Sequence, residues 1–315
     1  MFYQLENDYI KATVTDLGAT LTKLIDKKTN IDMVLGFDDE DGYHKYNGTN
    51  IGASIGRNAN RIGAAKFTLN GKEYNLAANN GPNNLHGGGV NGFAFKTWSV
   101  KSQSSDEIVF TYLSKDGEEG FPGNLNVEVS YKLDGNTLTW SYSGNCDQDT
   151  VFNMTNHSYF NLGEDDIFNL ELKIHSDTYS PVDDDSLTLN ETVKVENTPF
   201  DFREFTKMKT NLDQLTCGID NKYVWEDLND KLMAEVKSDK LHLKVYSDLP
   251  DMHLYTAYYL NGEIGKYNRV YKPFSALCLE CQYYPNAINY ENYIKPILLK
   301  GENRKHYIRY EVSNL

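Results

Sequence analysis

The 315-residue chain carries 31 Lys and Arg against 45 Asp and Glu, and its formal charge of -14 repels phosphate backbones and anionic lipid, which argues against nucleic-acid and membrane partners. A chain this long buries about 75% of its unfolded surface, so neither a disulfide nor a structural metal is required. Four irregularly spaced cysteines (Cys146, Cys217, Cys278, Cys281), acidic Glu6 and Asp8 where a signal peptide would be basic, and no apolar run of spanning length together predict a cytoplasmic protein.

Along the chain, period-2 patterns bounded by turn residues recur. Phe67 and Leu69 alternate into Asn70-Gly71 and Tyr74 and Leu76 alternate out, which predicts a hairpin on a positive-φ turn. Val127, Val129, Tyr131 and Leu133 lead to Asp134-Gly135-Asn136, and Leu138, Trp140 and Tyr142 return. The third hairpin joins Leu232, Ala234 and Val236 to Leu241, Leu243 and Val245 through Ser238-Asp239. The one tempting helical stretch, residues 205–215, is short. Strands do not alternate with long helices, which disfavours a doubly wound sheet, and the lack of a fixed repeat period weighs against a propeller. Many aromatics, 23 Tyr and 14 Phe, suit strands and can stack on sugar faces. The expectation is an all-β chain forming one large antiparallel β-sandwich domain over residues 1–315.

Several patterns bear on chemistry. Gly52-Ala53-Ser54-Ile55-Gly56 has the spacing of a nucleophile elbow, but hairpin-like sequence follows where the elbow needs a helix. Gly87, Gly89 and Gly92 match a dinucleotide-binding spacing yet open no helix, so they read better as a pliant loop beside His86. Arg61 and His86 sit in polar, glycine-rich segments that offer directed donors to a hydroxyl-rich ligand. His157 lies in Asn153-Met154-Thr155-Asn156-His157-Ser158-Tyr159-Phe160-Asn161-Leu162; as a strand, this places Thr155 and Tyr159 on either side of the imidazole on one face. Its alternative is a structural histidine. Glu280 interrupts the apolar run 277–283, where desolvation raises a carboxyl toward a useful general base, the alternative being a buried salt bridge. Cys278 and Cys281 flank it, but on a strand they point to opposite faces, which disfavours a metal or redox pair.

Taken in order, residues 56–62, residues 83–88, the stretch 153–162, Gly218-Ile219-Asp220 and Leu277-Cys278-Leu279-Glu280 with Gln282 resemble the aldose 1-epimerases, over about residues 17–307. The resemblance implies a β-sandwich with a sugar cleft, acting without cofactor or metal on free monosaccharides, as a monomer or homodimer. It assigns His157 as general acid and Glu280 as general base. Arg61, His86 and Asp220 become substrate contacts, with Asn60 and Tyr159 beside them. On this reading His157 is protonated and Glu280 ionised when sugar arrives. Departures are His253 where the family commonly has Gln, and Pro285-Asn286-Ala287 where it usually has Pro-Asp-Ala. Two rivals follow: a sugar-binding protein without turnover, and a hexose 6-phosphate epimerase using Lys266, Arg269 and Lys272.

Overall fold

The computed structural model describes residues 1–315, with 27 strands against two α-helices, Glu40–Lys45 and Met208–Leu212. The predicted hairpins form. Lys66–Leu69 pairs with Lys72–Asn75 across Asn70 and Gly71, whose φ values of 52° and 76° need the residue types found there. Leu125–Asp134 and Thr137–Cys146 stay in register along their whole length, with Val127, Val129, Tyr131 and Leu133 inward. The third hairpin differs: a bulge between Leu232 and Ala234 turns Met233 into the core and leaves Leu232 half-buried. Strict alternation cannot anticipate an inserted residue. The helical stretch shrinks to Met208–Leu212, because Thr206–Lys207 is taken up as a strand beside Glu171–Ile174.

Two antiparallel sheets dominate. The larger has nine strands, with Asn303–Asn314 between Thr137–Cys146 and Leu241–Ser247. The smaller runs Tyr159–Phe160, Leu277–Gln282, Asp251–Tyr255, Asp220–Val224, Thr178–Ser180, Val193–Lys194. Their facing sides merge in one cluster of 53 buried residues, which includes Trp140, Tyr142 and Tyr310 from the first sheet and Leu254, Leu277, Leu279 and Cys281 from the second. Phe160 and Tyr310 meet across the layers with ring centroids 5.0 Å apart. This is the expected β-sandwich. No helix is long and apolar enough to cross a membrane.

This packing fixes the direction of the functional strand. Leu277, Leu279 and Cys281 are fully buried in the core, and each large apolar side chain so placed contributes about 1.5–3 kcal/mol by leaving water. A one-residue slip would turn them outward and drive Glu280 into hydrocarbon. Glu280 therefore faces away from the core, toward the loops that cover the outer side of the smaller sheet.

Candidate active site

Between those loops and the sheet lies a cavity of about 610 Å³ whose lining includes Asn60, Arg61, His86, His157, Tyr159, Asp220, His253 and Glu280. Every site residue expected from the sequence is thus on one surface. Residues that the sequence reading missed complete the rim: Tyr46, Thr49, Asn50, Asn80, Tyr255, Tyr259 and Glu263. Asn80 and Tyr255 lie in the segments already singled out around His86 and His253, whereas the others come from segments with no motif of their own, which only closure of the fold could identify.

Three strands of the smaller sheet set the floor. His253 is opposite Glu280 on one side and Lys222 on the other, while Asp220 pairs with Tyr255. The segment bearing His157 is not one continuous strand but two short ones. Thr155–Asn156 pairs with Ser54–Ile55, and Tyr159–Phe160 pairs with Leu277–Cys278.

His157 falls at the switch between the two pairings, where its N–H donates to Ala53 O and its carbonyl accepts from Gly52 N. Its ring stacks on Tyr159 with centroids 5.1 Å apart, so those two do share a side, as expected. Tyr159 donates its hydroxyl to Thr49 O and so braces the imidazole. His157 Nε2 lies 3.6 Å from Glu280 Oε1, with both side chains buried.

Asp220 anchors the opposite wall. It accepts from His253 Nε2 at 2.6 Å and lies 3.8 Å from the Arg61 guanidinium, whose Nε donates to Asn80 at 2.9 Å. Burial alone would raise its pKa, but the His253 hydrogen bond and the nearby Arg61 guanidinium help to outweigh it and hold the carboxyl below its usual value. Arg61 is held by Asn286, whose N–H donates to Arg61 O and whose Oδ1 accepts from Gly63 N. The Asn286 departure therefore leaves a working anchor.

For His157 and Glu280 burial prevails. It lowers His157 to about 4 and raises Glu280 well above the usual carboxyl range. Burial therefore favours the neutral imidazole and the protonated carboxyl, and the ionised pair expected as sugar arrives requires a proton to pass from Glu280 to His157.

Donor atoms of His86, His157 and Glu280 lie within 4.8 Å of one another, a set that invites a metal. The local hydrogen bonding opposes it. His86 Nδ1 accepts from Asn60 N, so the neutral ring carries its hydrogen on Nε2 and presents a donor. Such a donor suits a sugar oxygen.

Other expectations are settled by placement. Ser54 is buried, donating to Ala19 O and accepting from Trp140 Nε1, so it is no nucleophile. Gly92 leads only into the three-residue turn Phe93–Phe95. Cys278 and Cys281 belong to different apolar clusters. Lys266 is buried against Asp32, Thr22 O and Val34 O, while Arg269 and Lys272 line a separate cavity with Asp165 and Asp166.

A family model described as aldose 1-epimerase matches residues 1–311. The galactose mutarotase of Sus scrofa is 39% identical across 96% of this chain and 91% of its own. The aldose 1-epimerase of Escherichia coli is 34% identical across 83% of this chain and 79% of its own. A solved aldose epimerase homologue from C. elegans superposes with a TM-score of 0.94 at 30% identity, covering 100% of this chain and 99% of that one. The chain belongs to the aldose 1-epimerase family.

Proposed function

We propose that the chain interconverts the anomers of free hexopyranoses, with His157 as acid and Glu280 as base, on a single β-sandwich domain. The observation that carries this reading is the 3.6 Å approach of imidazole and carboxyl inside a cavity otherwise lined largely by hydrogen-bonding groups. Glu280 takes the proton of the C1 hydroxyl while His157 gives one to the ring oxygen. The C1–O5 bond opens, the aldehyde turns about C1–C2, and closure on its other face returns both protons.

The pair needs one transferable proton in total. Burial stores it on Glu280, and sugar hydroxyls that solvate the carboxylate favour its transfer to His157 on binding. Ionised Asp220, Arg61 and the His86 donor orient the ring. Arg61 is already matched by Asp220, and Glu263 adds negative charge at the rim, which favours neutral sugars over hexose phosphates.

Polarimetry or NMR saturation transfer on α-galactose and α-glucose tests the proposal. Exchange faster than in buffer supports it. Sugar binding without faster exchange would make the chain a binding protein, and preference for glucose 6-phosphate would favour the phosphate reading.

A further inference from the structure

Behind Glu280 the outer side of the smaller sheet continues with charged groups that line no part of the sugar cavity. Lys222 and Asp251 are 0% and 1% exposed, with Nζ 3.6 Å from Oδ2. Lys222 is opposite His253, itself opposite Glu280, and Asp251 is opposite Gln282, the next residue on the same face as Glu280. Asp251 is thus a diagonal neighbour of Glu280, at about 7–8 Å.

We propose that Asp251, held ionised by Lys222, raises the proton affinity of Glu280. The inference rests on the acid/base reading above. A buried ion pair is weak support for a fold, since an apolar pair of similar volume is often as stable or more so. Lys222 also lies against the rings of Tyr284 and Tyr293, which favour a cation. Burial pushes Asp251 up to about 7 and Lys222 well below its usual value, and each partner pulls the other back.

The other groups acting on Glu280 are already engaged. Arg61, Asp220 and His253 form the opposite wall, His86 and His157 face the cavity, and Cys278 shares its strand. Asp251 itself faces Lys222 and Gln282. Lys222 and Asp251 are therefore positioning residues that act through Glu280.

The test is the pH profile of kcat/KM for the wild type, Asp251→Asn, Lys222→Met and the double variant. Losing the carboxylate should move the alkaline limb, which reports Glu280, down by about one pH unit, and losing the ammonium should move it the same way, because buried Asp251 without its counter-ion takes up a proton. The double variant should match Asp251→Asn, with KM little changed throughout. If Lys222→Met fails to fold, Lys222→Gln carries the same expectation, and the near-isosteric Asp251→Asn decides the sign alone. An alkaline limb that stays in place or moves up in Asp251→Asn overturns the inference. Turnover surviving in Glu280→Gln would instead overturn the base assignment, which separates the two failures.

Discussion

Glu280→Gln removes the proposed base while keeping shape. Gln fills the same volume, and because burial already favours the neutral carboxyl, the exchange leaves no new unpaired charge. Stability should change by less than about 1 kcal/mol. The loss falls on chemistry: a positioned general base contributes about 10²–10⁴-fold, or about 3–5 kcal/mol of barrier. Sugar contacts from Arg61, His86 and Asp220 remain, so kcat should fall by at least about 100-fold with little change in KM. NMR saturation transfer on α-galactose measures both. A fall of less than about tenfold in a folded variant would refute the assignment.

His157→Asn should lower kcat by a similar factor of about 10²–10⁴ in the same assay. The kcat/KM profile of the wild type should be bell-shaped. Below His157's value of about 4 a second proton leaves the pair without a base, and above Glu280's raised value the pair loses its only proton. An acid limb near the ordinary imidazole pKa of about 6.5 would contradict this. Arg61→Ala should raise KM about tenfold or more, as one charged hydrogen-bond donor is worth about 1.5–3 kcal/mol. Gly87→Ala should destabilise the chain by about 2–4 kcal/mol in denaturant unfolding, because φ is 75° and an added Cβ would collide with the backbone of Gly56 and Arg57.

The strands were legible because alternation reports burial of one face, and the Leu277–Gln282 pattern was enough to turn Glu280 away from the core. The five ordered motifs likewise carried the expected site residues apart from His253, which stood out as a departure within its own strand. What local sequence could not supply were effects that arise only when distant segments close. The bulge at Met233 and the change of partner strand at His157 depend on what lies alongside. The rim residues Tyr46, Asn80 and Glu263 meet only across the closed cavity. Protonation was decided in the same way: sequence places an imidazole and a carboxyl in one site, but the depth of burial, a property of the whole packed molecule, determines that both rest uncharged.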